Sequence, residues 1–223
     1  MWWIPVVMIG GYVAKKIIDS NDYSSYSSTP VDRRTTLEKN MSALHGVLQS
    51  EKKQKIALLG QPGSGKSTIL NKITAGQCIP LPIIGQKTDA TNWHKELKAD
   101  FFNSHKDIKF VDIPGYDTNE HPVSSYLEHF PFKLFDQVVF VLNNKIHDSD
   151  IKVFNKLIDG FGSISPNRIL IVRNYTDSLD DFIGVENDLD KLFNFKKLGI
   201  NLVFSSGRSG AGMNQIMSFC KIG

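Results

Sequence analysis

Cysteine is scarce: the 223 residues hold two, Cys78 and Cys220, too far apart for a disulfide framework or a zinc site. Two thiols in a reducing compartment is the expectation. The six histidines are equally dispersed and form no HExxH pair, so no metal site made of side chains alone is visible. An excess of one charge is also missing. Net charge is +3, and the lysines are scattered instead of gathered in a stripe, so no nucleic-acid partner is expected. No internal repeat occurs, which excludes a solenoid. With 41% hydrophobic and 22% charged residues, the chain is long enough for one sizeable core and short for two.

A hydrophobic run of membrane-spanning length is lacking too. The stretch "MWWIPVVMIGGYVA" carries no charge until Lys15 and Lys16, and it falls short of the roughly 20 apolar residues of a spanning helix unless it extends through Ile17 and Ile18. It has neither the basic start nor the small-residue cleavage site of a secretory signal. Trp2-Trp3 suits a membrane interface, and the following lysines suit a cytoplasmic exit. Residues 1–18 are therefore expected to anchor in or lie on a membrane, with the rest of the chain cytoplasmic; the alternative is a segment tucked against the core.

Residues 19–31, "DSNDYSSYSSTPV", are Ser-rich and polar and read as a linker. Residues 32–53 predict a helix, with Leu37, Met41, Leu44 and Leu48 at three- and four-residue steps, packing on the following domain or on a partner. From residue 54 to 223, short apolar strands alternate with helical stretches. The strands are "KIALLG", "IKFVDIPG", "QVVFVLNN", "RILIVRN" and "NLVFSSG"; helices are expected over 66–75, 124–135, 148–160, 180–195 and 211–220. Such continuous apolar strands belong in a mainly parallel sheet covered on both sides. Alternation in "TNWHKELKADFF" predicts one antiparallel strand, paired with 108–112 across a hairpin near "NSHKD". The expected fold class is three-layer α/β.

What is present is a phosphate cradle. "GQPGSGKS", Gly60 to Ser67, fits G-x-x-x-x-G-K-[ST] between a buried strand and a helix. Gly60, Gly63 and Gly65 let the backbone approach phosphate oxygens, and the amide groups around Ser64 converge on them at the positive end of the helix. Lys66 adds a point charge near the β- and γ-phosphates, the Ser67 hydroxyl is a Mg²⁺ ligand, and Thr68 completes the nucleotide-binding turn.

Two later motifs choose the nucleotide. "DIPG" places Asp112 to hold Mg²⁺ through a water and the Gly115 amide to reach the γ-phosphate. "RNYTD" places Asn174 and Asp177 in N-x-x-D spacing, where a dry Asp177 carboxylate accepts two hydrogen bonds from guanine and penalises adenine. Ser205 and Ser206, in "SSG", stand where a backbone amide meets the guanine oxygen. The order of these elements, each at a strand's carboxyl end, predicts a GTP site.

From about residue 54 to 220 the chain resembles a translation-factor-class small GTPase domain with a Ras-like fold. Within that class it is most similar to the immunity-related GTPases and their small bacterial look-alikes, through "GQPGSGKSTILNKITAG", "DIPGYDTNEHPVSSYLEHFPFKLFDQVVFVLNN" and "ILIVRNYTD". The resemblance implies GTP binding, slow hydrolysis with Mg²⁺, nucleotide-dependent self-association as a homodimer through the nucleotide face, and membrane attachment. A switch threonine, with catalytic and metal-binding roles beside Lys66, must lie in "GQKTDATN"; Thr88 is chosen over Thr91.

The chain departs from that pattern in three places. Tyr175 replaces a lysine whose stem packs over the nucleotide, and its ring can stack there instead. Tyr116 follows Gly115, where some GTPases carry a water-orienting glutamine, so turnover should be slow. The flanking helical domain is reduced to the 32–53 helix. Two other readings stand beside a GTP-hydrolysing switch: a GTP/GDP-binding module with negligible turnover, and a P-loop ATPase or nucleotide kinase, which leaves "RNYTD" unexplained.

Overall fold

Thr35 opens the first regular element by accepting a hydrogen bond from the Glu38 amide while the Glu38 carboxylate accepts one from the Thr35 amide. The computed structural model describes residues 32–85 and 92–222. The expected anchor at 1–18, the linker at 19–31 and both candidate switch threonines, Thr88 and Thr91, lie outside the described residues.

Helix α1 (Thr36–Ser50) precedes β1 (Gln54–Leu59), α2 (Lys66–Ile73), β2 (Asn103–His105) and β3 (Ile108–Asp112). Then follow α3 (Val123–His129), β4 (Gln137–Leu142), α4 (Asp148–Phe161), β5 (Ile169–Arg173), α5 (Phe182–Phe193), α6 (Phe195–Leu198), β6 (Asn201–Phe204) and α7 (Met213–Cys220). The six strands are ordered β2-β3-β1-β4-β5-β6, all parallel except β2 against β3. Every residue of β4 and β5 is buried, as their unbroken apolar runs require. β6, at the sheet edge, is only half-buried, so the expectation of cover on both faces does not extend to it.

One sheet face is covered by α1, α3, α4, α5 and α6, the other by α2 and α7. Leu37, Met41, Leu44 and Leu48 bury the apolar stripe of α1, mainly against α3 and the turn at 132–134. Arg34–Gly223 forms one compact unit. Among the described residues no helix is long and apolar enough to cross a membrane.

Two elements differ from the sequence expectation. The antiparallel strand is not 91–102 but Asn103–His105, joined to β3 by a turn at Lys106-Asp107 with Lys106 at φ +52°. In 93–98 the Trp93 and Glu96 carbonyls and the Lys98 amide bond to the Asn40 side chain instead of to a neighbouring strand. The helix expected over 124–135 stops at His129: Pro131 confines Phe130 to extended backbone (φ −74°, ψ 129°), and a single 3₁₀ turn follows. The stop turns "YLEHFPF" into an aromatic stack, with Phe130 parallel to Tyr126 and Phe135 at ring-centre distances of 5.8 and 5.7 Å.

β1 lies between β3 and β4 where the strand order reverses, so the loops leaving β1 and β3 open into one crevice.

Candidate nucleotide-binding site

The loop after β1 is held in shape through its carbonyl groups. Lys66 Nζ donates to the carbonyls of Gly60 and Gln61, both at 2.9 Å. The Tyr175 hydroxyl donates to the Gly63 carbonyl at 2.6 Å, and Asn174 Nδ2 to the Ser64 carbonyl at 2.9 Å. The Ser64 amide closes a turn on the Gln61 carbonyl at 3.2 Å, and with these carbonyls engaged the amides of Gly63, Gly65, Lys66 and Ser67 remain for an anion. Gly65, at φ +93°, caps α2, and a Cβ there would lie 2.2 Å from Asn174 Nδ2, so only glycine permits this brace. Ser64 Oγ is buried with no partner among the described residues.

Lys66 is buried, and burial pushes its ammonium from the ordinary 10.5 down to about 8, against the opposing pull of the Asp112 and Asp150 carboxylates. Next to it, Ser67 Oγ donates to Asp112 Oδ2 at 2.5 Å, joining the start of α2 to the end of β3. Two adjacent hard oxygens fit Mg²⁺, which keeps waters and substrate phosphates as its other ligands and needs no protein cage. Among the described residues no cluster of three His, Cys, Asp or Glu offers such a cage.

The "DIPG" turn packs directly on the P-loop. A Cβ on Gly115 would stand 2.1 Å from the Pro62 nitrogen. The buried Tyr126 hydroxyl donates to the Pro114 carbonyl at 2.7 Å and fixes the turn from below. Tyr116 turns away from the crevice into the core, where its hydroxyl donates to Asp150 Oδ1 at 2.5 Å. Gln61 Nε2 donates to Ser149 Oγ and Asp150 Oδ2, at 3.1 and 3.2 Å, and Ser149 Oγ to Asp117 Oδ2 at 2.6 Å. Burial pushes the Asp150 carboxyl above its ordinary value.

Gln61, Asp150, Ser149 and Tyr126 thus organise the site although sequence reasoning did not single them out. A glutamine inside the P-loop and an aspartate in the first turn of a helix were the available signals.

At the other end of the crevice, Asp177 is exposed and both its oxygens lie within reach of the donating Ser206 hydroxyl, at 2.6 and 2.7 Å. That hydroxyl holds the Asp177 carboxyl below the usual range. Dryness at Asp177 is not a property of the protein alone, and a stacked base has to supply it. Asn174 is buried, with Oδ1 accepting from Ser205 Oγ at 3.2 Å, so it braces the P-loop against the β6 loop. The amides of Ser205 and Ser206 donate to the Arg173 and Ala211 carbonyls, at 2.8 and 3.1 Å. Of the "SSG" amides, this leaves that of Gly207 for a ligand. Thr68 lies beside Gly207, whose Cβ, if present, would sit 3.0 Å from Thr68 Cγ2. Tyr175 adopts a left-handed conformation (φ +61°), and the residue is 42% exposed at the crevice edge.

Residues 55–174 match the sequence model of the 50S ribosome-binding GTPase family. The chain is 26% identical over 170 residues to GTPase Era of Fusobacterium nucleatum, covering 73% of this chain and 53% of that protein. It is 29% identical over 182 residues to the Fe(2+) transporter FeoB of Synechocystis, covering 77% and 27%. The chain therefore spans about half or less of the length of these curated relatives. Among solved structures, a probable GTP-binding protein engB aligns with a TM-score of 0.52 at 16% identity, covering 75% of this chain and 96% of that one. Era in complex with MgGDPNP and 16S ribosomal RNA aligns at 0.50 with 20% identity, covering 76% and 56%. Both likenesses are of fold. None of these relatives is an immunity-related GTPase, and the finer resemblance rests on the sequence motifs alone.

The position of Lys66 makes a measurable prediction. With a folded-state value near 8 and an unfolded value of 10.5, the unfolded chain holds this proton longer, so stability of the unliganded protein rises as pH climbs through that window. A polyphosphate facing Lys66 favours the ammonium. Triphosphate binding at about pH 9 should then take up close to one proton, read by calorimetry in two buffers of different ionisation enthalpy. Lys66→Ala should abolish the uptake, and a wild-type uptake of zero would refute the lowered Lys66.

Proposed function

The chain belongs to the 50S ribosome-binding GTPase family, and on that premise we propose that it binds GTP and hydrolyses it slowly to GDP and phosphate as a molecular switch. The observation that carries the reading is the 2.5 Å contact of Ser67 with Asp112, which unites the P-loop helix and the DxxG strand at the place a γ-phosphate demands. Lys66 leaves the Gly60 and Gln61 carbonyls and turns to the β- and γ-phosphates. The amides of Gly63, Gly65, Lys66 and Ser67 and the Gly115 amide bind the oxygens on which charge develops, while water attacks phosphorus in line. Ser67, Asp112 and, from the switch loop, Thr88 would hold Mg²⁺. That ion would neutralise negative charge developing on the triphosphate.

Asp177 selects guanine, with Asn174, Ser205 and Ser206 shaping its surroundings and Tyr175 standing at the edge of the base. Tyr116 is committed to Asp150 and presents no group to an attacking water, which supports slow intrinsic turnover. The same observation favours a second reading, a GTP/GDP-binding module with negligible turnover. The motifs shared with immunity-related GTPases supply the finer proposals: a homodimer through the nucleotide face, and attachment of residues 1–18 to the cytoplasmic face of a membrane. Era binds ribosomal RNA in the solved complex; for this chain, with its scattered charge, guanine nucleotide is the proposed ligand.

Titration with fluorescent GTP, GDP and ATP tests the base. The wild type should prefer guanine nucleotides, and Asp177→Ala should weaken GTP binding about tenfold to a hundredfold, the worth of hydrogen bonds to a charged group. Tighter ATP binding by the wild type defeats the proposal. Phosphate release per molecule should rise with protein concentration if the nucleotide faces pair. A rate that is low but constant removes the dimer, and zero release at every concentration leaves the binding module. Removal of residues 1–18 should leave nucleotide affinity intact and move the protein from the membrane pellet to the supernatant; an unchanged distribution removes the anchor.

A further inference from the structure

Asn40 is fully buried on α1, a helix that precedes the residues matched by the family. The apolar stripe of α1 is complete without it, since Leu37, Met41, Leu44 and Leu48 already cover the core. A buried amide is costly unless every group finds a partner. Here Asn40 Nδ2 donates to the Trp93 and Glu96 carbonyls, at 2.7 and 2.9 Å, and Oδ1 accepts from the Lys98 amide at 2.8 Å. One side chain thus holds three main-chain groups of a segment more than fifty residues away.

The far side of that segment is bonded to the loop behind the "DIPG" turn. The Trp93 amide donates to His121 Nε2 at 3.2 Å, and Asn92 Nδ2 donates to Glu120 Oε2 at 2.5 Å. The loop itself closes through Thr118, whose amide donates to the His121 carbonyl and whose hydroxyl accepts from the His121 amide. Trp93 is buried edge-on against Phe101, with ring centres 5.1 Å apart. A continuous chain of bonds therefore runs from α1, through 92–98, to residues 117–121, which leave Gly115 at the phosphate end of the site.

We infer that Asn40 is a positioning residue for GTP hydrolysis: by clamping 93–98 it fixes the loop that follows Gly115, and α1 and the nucleotide site thereby bias one another. The inference rests on the GTPase reading. Three hydrogen bonds on one face of 92–98 and two on the other give the nucleotide a route to α1, and the coupling runs equally in both directions. α1 is thus part of the switch as well as part of the core.

The test uses the full chain with Trp2→Phe and Trp3→Phe, which leaves Trp93 as the sole indole. The wild type should show a different Trp93 emission with GDP than with a non-hydrolysable GTP analogue. Asn40→Ala should abolish that difference and slow single-turnover GTP hydrolysis about fivefold or more, with GDP affinity kept within about twofold. A purely structural role would lower stability without separating hydrolysis from GDP affinity. Asn92→Ala, at a part-exposed position, cuts the opposite face of the clamp without a buried cavity and should act in the same direction. Wild-type rates and an intact emission difference in a folded Asn40→Ala protein overturn the inference; if that variant does not fold, the same result in Asn92→Ala overturns it. A wild type that binds no guanine nucleotide fails at the first titration, before either variant is compared, and removes the GTPase reading instead.

Discussion

The site depends on turning a short arc of main chain inside out. To bind phosphate, the amides between β1 and α2 must face inward, which requires the intervening carbonyls to face outward and find donors. The carbonyls of Gly60, Gln61, Gly63 and Ser64 do so through Lys66, Tyr175 and Asn174. Three donors from two parts of the chain therefore set the shape of a loop whose own glycines supply only permission. Lys66 is held by these carbonyls through two hydrogen bonds of 2.9 Å.

That requirement explains the departures from the common GTPase pattern. Tyr175 stands in the place of a lysine but still reaches the loop, because a phenol on a left-handed residue is long enough to touch the Gly63 carbonyl. Tyr116 stands where a water-orienting glutamine occurs elsewhere and does something different. Its ring belongs to the core beside Tyr126, and its hydroxyl meets Asp150, which in turn receives Gln61 from the P-loop. Tyr116 is thus a structural strut between the P-loop and the "DIPG" turn. At the opposite end Ser206 aims the Asp177 carboxylate and Asn174 ties that end back to Ser64.

The β-strands and the loops at their carboxyl ends were legible because their signals are local. Unbroken apolar runs mark buried parallel strands, and the P-loop is read from eight adjacent residues. The antiparallel strand was misplaced for the opposite reason. "TNWHKELKADFF" has a strand's alternation, yet its main-chain groups bond to Asn40, a partner that no window around residue 95 contains. The helix at 124–135 was drawn too long because its aromatic pattern continues past Pro131, where the backbone cannot follow.

By itself the sequence determined the order of strands and helices, the phosphate loop, and the candidates for metal and base, since each follows from residue types within a few positions. Only the tertiary structure decided that Asn174 braces rather than merely flanks the site, that Tyr116 is buried, and that α1 reaches the switch side through Asn40. These roles arise from contacts between residues 34 to 110 positions apart. Chain topology brings them together, and a side chain's hydrogen-bonding capacity does not say which distant carbonyl will fill it.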